Sequence, residues 1–181
     1  AVSAAASLFG VAAPTAAAAA AAGVATVARV VLVMGRDSEQ KEEFCDALAS
    51  RLGSTLLRTR ELVKAACVSD TDEGMRLMEI LSSGKILPPE MMVELIRREV
   101  EAAEAPVLLT GFPSTARQLQ LLEEALEPVA CALQLRPDGE TEEAVLQQLQ
   151  RVGGDRLAAI ASVVPVGAGA VAMAESVVRG I

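Results

Sequence analysis

The sequence predicts an α/β fold, a parallel sheet with helices on both faces. Two short, continuous apolar runs, Val30-Val31-Leu32-Val33-Met34 and Val107-Leu108-Leu109-Thr110, stop at Gly35 and Gly111. Runs of this kind suit strands buried on both faces. Between and after them lie segments with apolar residues three and four apart, such as Phe44, Leu48 and Leu52. That spacing places them on one side of a helix. Strands that alternate with helices give parallel pairing, because each crossover lays a helix over a sheet face.

The elements follow in order along 181 residues, a length that allows one sizeable core. Residues 1–28 carry no charge, and 15 of them are Ala. They read as an Ala-rich, low-complexity N-terminal segment, the remnant of an organelle-targeting region or a linker. A helix docked on a partner is the alternative, since Ala favours helix. The chain opens without Met, which reads as processing, trimming or a fragment. Residues 29–154 form the expected α/β domain. Its first strand is Val30–Met34, followed by a helix over 38–52 that Gly53 closes. Helices follow over 61–67 and 73–83, the second ending at Gly84. Pro89, well suited to a first helical turn, opens a helix over 90–103. The second strand is Val107–Thr110, then a helix over 115–126, a third strand over 129–135 and a helix over 141–151. Residues 155–181 form an apolar C-terminal segment. Within it, 157–174 is uncharged and interrupted by Pro165, Gly167 and Gly169. A buried strand and helix are expected there, with membrane contact through 157–174 as the alternative.

Composition excludes several chemistries. The chain is 52% hydrophobic but 2% aromatic, with no His, Trp or Tyr. Without His there is no Ser-His-Asp or Cys-His catalysis and no His-ligated zinc or haem. A net charge of −8 with so few aromatics argues against nucleic acid as a partner. Cys45, Cys67 and Cys131 are far apart and form no CxxC pair. Neither a metal site nor a disulfide framework is indicated.

A strand that ends in Gly and leads into a helix is the setting of a phosphate-binding loop. Here the junction reads Gly35-Arg36-Asp37-Ser38-Glu39-Gln40-Lys41-Glu42-Glu43. Gly35 and Lys41 keep the spacing of G-x-x-x-x-G-K-[ST]. Gln40 stands at the second glycine and Glu42 follows the lysine. Further on come Gly84-Lys85-Ile86-Leu87-Pro88-Pro89-Glu90, Val107-Leu108-Leu109-Thr110-Gly111-Phe112-Pro113 and Thr59-Arg60-Glu61-Leu62-Val63-Lys64. In order and spacing these resemble the nucleoside monophosphate kinases, adenylate kinase most of all, over about residues 30–135. The resemblance implies a P-loop NTPase-like sheet. It implies Gly35, Lys41, Thr59, Lys64, Gly111 and Gln118 as nucleotide-binding positions, with Gln118 where the family reads the AMP base. In an active enzyme Lys41 would be the catalytic lysine, and ATP and AMP with Mg would be bound.

The departures fall on the chemistry. Phosphoryl transfer depends on positioning and charge neutralisation. Residues 36–43 hold two basic and four acidic side chains, a net −2, where a triphosphate needs the opposite. Lys64 replaces an arginine of the family pattern, Arg60 a glycine, Ser114 the arginine of Gly-Phe-Pro-Arg, and Thr110 the acidic residue before the glycine. No lid rich in arginine can be aligned after Leu135, so the lid is read as lost or replaced. Asp37 or Ser38 is expected to cap the following helix, protein carboxylates standing in for phosphates. The expectation is therefore a pseudoenzyme with no cofactor, an accessory subunit bound to protein partners in an organellar complex, plastid or mitochondrion, with a membrane contact. A cytoplasmic location is the alternative. The alternative functions are an active kinase using ATP and AMP, and a sensor that binds AMP without turnover.

Overall fold

In a computed structural model of the chain, residues 30–126, 128–129 and 131–181 are described. The Ala-rich segment 1–28 and its expected roles lie outside them. Five strands form one parallel sheet: β1 (Val30–Met34), β2 (Thr55–Arg58), β3 (Val107–Thr110), β4 (Cys131–Arg136) and β5 (Ala161–Pro165), in the order β2-β3-β1-β4-β5. The helices are α1 (Glu39–Leu52), α2 (Thr59–Val68), α3 (Asp72–Ser82), α4 (Pro89–Ala102), α5 (Ala116–Ala125), α6 (Glu142–Ile160) and α7 (Ala170–Arg179). This is a P-loop NTPase-like α/β arrangement.

The apolar run of β1 is fully sided. Val30 and Leu32 join Val107, Leu109, Val93, Ile96, Leu119, Leu122, Leu149 and Leu157 in a core beneath α4, α5 and α6. Val31 and Val33 face the other way, into a core with Leu108, Leu133, Val164, Phe44, Leu48, Ala174 and Val178 beneath α1 and α7. Alternate residues thus feed two opposite cores, which is why the run shows no polar alternation. A third, smaller cluster of Leu77, Leu87 and Leu95 packs α3 against α4 and the loop between them.

Local signals set the helix ends. Ser38, Thr71, Thr115 and Thr141 cap α1, α3, α5 and α6 with their hydroxyls. Beyond α3, the Gly84 N–H donates to Leu81 O and the Lys85 N–H to Ile80 O, a paired C-terminal closure with Gly84 left-handed.

Two elements differ from the sequence expectation. The strand β2 was not foreseen. Thr55-Leu56-Leu57-Arg58 is four residues long at the edge of the sheet, too short for a periodicity signal. The helix expected to stop at 151 continues as α6 to Ile160, kinked at Gly154 (φ 62°, ψ −161°). The kink falls at the expected domain boundary, yet the chain beyond it stays in the same sheet. β5 pairs with β4 in register from Ala132↔Ala161 to Arg136↔Pro165. Helix α7 packs on α1, where Glu175 accepts from Arg51 at 2.7 Å and from Arg179 at 3.0 Å. The uncharged stretch is thus spent largely on a strand and a helix of the common fold. Among the described residues, no helix is long and apolar enough to cross a membrane.

The cysteines divide by burial. Cys45 and Cys131 lie in the α1/α7 core and Cys67 is half-buried. Loss of solvation pushes both buried thiols from 9.0 to about 11. In the native protein, a thiol reagent should titrate Cys67 fast and the other two after unfolding. The folded thiols hold protons that the unfolded chain releases near pH 9. Stability should therefore fall as pH rises through the window between about 9 and about 11. Urea midpoints measured across that window should drop, and the drop should shrink in C45A/C131A.

Candidate functional site

The site is built at the C-terminal ends of β1, β2 and β3. After Met34 the chain must turn under β4. At Gly35 φ is +130°, and a Cβ would lie 3.1 Å from Leu135 Cβ and 3.2 Å from Leu135 O. A glycine is therefore required by the fold itself, whatever the loop binds. Three residues later Ser38 caps α1, and the helix begins at Glu39, two residues before Lys41. The Ser38 hydroxyl accepts from the Lys41 N–H at 3.2 Å.

Lys41 is buried, at 4% exposure. Its ammonium donates to Gly35 O at 3.1 Å and to Asp37 Oδ1 at 3.1 Å. The second oxygen of Asp37 accepts from Arg60 Nη2 at 3.2 Å. One carboxylate thus bridges the lysine of α1 and the first turn of α2. Next to it, Arg58 at the end of β2 binds Glu42 and, at 2.8 Å, Asp46. Those two carboxylates raise the affinity of the Arg58 guanidinium for its proton. Of the four acidic residues between 36 and 43, Asp37 is therefore engaged with α2 and Glu42 with β2.

Beside this corner lies a cleft of about 1010 Å³. Thr59, Lys64, Gly111 and Gln118 all line it, whereas Gly35 and Lys41 do not. Thr59 donates its hydroxyl to Thr110 O at 3.2 Å, tying α2 to β3. Gly111, at φ +87°, turns directly beneath it: a Cβ there would meet Thr59 Oγ1 at 2.4 Å. Gln118 accepts from the Ser114 N–H at 2.6 Å through its side-chain oxygen, so this carbonyl closes the turn after β3. Lys64 is exposed on the wall of the cleft. The cleft also presents Arg58, Lys85, Met78, Leu81 and Ile86, which the sequence reading did not assign to a site. Lys85 was legible as the residue after a helix-closing Gly. Arg58 was hidden by the unforeseen strand. Where a lid was sought, the connection from β4 to α6 is residues 137–141, with Arg136 donating to Glu140 O at 2.9 Å. Among the described residues, no group of three or more Cys, Asp or Glu is placed to hold a metal ion.

UMP-CMP kinase 2 of Oryza sativa subsp. japonica is 33% identical over 90 residues, 49% of this chain and 37% of that protein. The chain is similar to the nucleoside monophosphate kinases. Adenylate kinase isoenzyme 1 of Cyprinus carpio matches over 130 residues at 25% identity, 70% of this chain and 65% of that protein. Adenylate kinase 1, chloroplastic, of Arabidopsis thaliana matches at 31% over 91 residues, 48% of this chain and 32% of that protein. The chain spans less than two thirds of the length of each of these relatives. No family model matches it. The nucleoside monophosphate kinase resemblance read from the motifs and the expected fold class thus stand, the fold as a parallel sheet with β1 at its centre.

Two substitutions test the site's construction. Asp37→Ala leaves a buried ammonium with a single carbonyl partner. It should cost about 1–3 kcal/mol in urea unfolding, and D37A/K41M should recover part of it. Gly111→Ala meets both the Thr59 hydroxyl and a positive φ, and should cost about 2 kcal/mol or more.

Proposed function

We propose that the chain is a nucleoside monophosphate kinase-like module that does not transfer phosphoryl groups and serves as an accessory subunit of a larger protein assembly. The observation that carries this reading is the buried Lys41 ammonium, already held by Gly35 O and the Asp37 carboxylate. A triphosphate-binding loop needs glycines, so that successive N–H groups turn inward, and a lysine free to meet the β/γ-phosphates. The residues present do not fit that ligand. Gln40 and Glu42 flank the lysine, the Ser38 hydroxyl takes the Lys41 N–H, and four carboxyl side chains lie between 36 and 43. No step through ATP or Mg is derived.

The loss of cationic groups supports the same reading. Ser114 stands where the family pattern has arginine, and the connection after β4 is a short turn. Similarity to a chloroplastic adenylate kinase fits a plastid setting, which is proposed with the assembly role. The cleft around Lys64 and Gln118 favours a second reading, binding of a nucleoside monophosphate without turnover.

A coupled assay with ATP and either AMP, CMP or UMP tests both. No diphosphate formation above background is expected. Turnover that disappears in Lys41→Met would overturn the proposal. A melting temperature unchanged by millimolar AMP, CMP or UMP is expected too. A rise would favour the second reading, since a ligand of the native state must stabilise it.

A further inference from the structure

Among the described residues seven large apolar side chains are exposed; Met173 and Ile181 lie on or after α7, and the other five cluster. Val68, Met75, Met78, Leu81 and Ile86 all lie on or next to α2 and α3, with exposures from 40% for Leu81 to 92% for Ile86. Met75, Met78 and Leu81 recur every third residue, so they form one stripe along α3, and Ile86 extends it past the helix end. Met78, Leu81 and Ile86 are at the same time the apolar lip of the cleft described above. An exposed apolar stripe running into a cleft marks a binding surface rather than ordinary surface scatter. Met91 and Met92 of α4 lie nearby, so four of the chain's six methionines gather around α3 and the cleft. Flexible thioethers suit a surface that adapts to a packed partner.

Charge narrows the partner. Within the cleft Asp37 and Glu42 are already bound to Lys41, Arg60 and Arg58. Lys64 and Lys85 line the same cleft with no carboxylate in ion-pair range among the described residues, and Glu61 is the one acid of its lining outside the pairs just named. On its other side Lys85 borders a hollow lined by Asp72, Glu73 and Glu79. The cleft thus offers an apolar strip flanked by two available ammonium groups. The eleven residues of α3 give the strip a length of about 16 Å, roughly three turns of a facing helix.

We propose that this cleft is a docking groove for an acidic amphipathic helix of a partner protein. The helix's apolar face lies along Met75, Met78, Leu81 and Ile86, and its carboxylates meet Lys64 and Lys85. This is helix-in-groove recognition, anchored at i, i+3 or i+4 and i+7. The inference rests on the reading that the cleft no longer serves phosphoryl transfer, and it gives the proposed assembly role a surface.

The test is a displayed library of 14-residue helices with Leu, Ile or Met at i, i+3, i+4 and i+7, and Asp, Glu, Lys, Ser or Ala elsewhere. Selection on the whole chain should enrich Asp and Glu beside the apolar positions. Enriched peptides, measured by fluorescence anisotropy, should bind at least tenfold more weakly to M78E/I86E. They should also weaken with K64E/K85E and with added salt. Both pairs alter exposed side chains, so urea unfolding should match the parent and separates lost docking from lost folding. No enrichment, enrichment of Lys, or equal binding to M78E/I86E would overturn the proposal. So would concentration-dependent self-association abolished by I86E, which would assign the stripe to a second copy, or stabilisation by AMP with no peptide selected. Kinase turnover in the separate assay would overturn the underlying reading without deciding whether peptides bind.

Discussion

Everything in this molecule hangs on β1 being buried on both sides and along both edges. It pairs with β3 from Val30↔Val107 to Val33↔Thr110 and with β4 from Val31↔Cys131 to Met34↔Gln134. Its odd and even residues root two separate cores. A strand so enclosed leaves its exit at a fixed place: the next residue, Gly35, sits beside Leu135, where a Cβ would be crowded and φ is +130°. Gly35 therefore answers to packing first. Lys41 has its own structural task, since its buried ammonium donates back to Gly35 O.

The corner that follows is an electrostatic problem solved within the chain. A helix N-terminus and a buried ammonium both attract negative charge. Ser38 serves the first and Asp37 the second, while Arg60 takes the other Asp37 oxygen. The acidic surplus at residues 36–43 looked like a defect in the sequence. In the fold two of its four carboxylates become ties, Glu42 to Arg58 of β2 and Asp37 to Arg60 of α2. The same ties leave the neighbouring cleft with cations that are not neutralised.

Much of this was legible in the sequence, for physical reasons. Long apolar runs closed by glycine can be little else than buried strands, and the cap before α1 and the closing Gly53 and Gly84 lay in plain view. Legibility failed where the signal is tertiary. β2 is recognisable only by its neighbour β3. The helix through Gly153 and Gly154 runs on against propensity because Leu149 and Leu157 are both buried on the same sheet face. Thr59, Lys64, Gly111 and Gln118 could be grouped from motif spacing, and the fold does gather them in one cleft. Gly35 and Lys41, read as the phosphate-loop positions, do not line that cleft, and Lys41 meets Asp37 beside it. Which carboxylate would turn toward which cation was foreseen for Asp37 in kind, and for Arg58 and Arg60 not at all, since their partners are 12 to 23 residues away.

The Asp37 bridge has one more consequence. A phosphate group recruited from solution fills a site in proportion to how much of it is dissolved. An anion four positions along the same chain has no such dependence, and folding alone delivers it. The charge at Lys41 is answered from within the chain. Asp37 and Lys41 thus join α1 and the first turn of α2 through a contact that folding alone assembles.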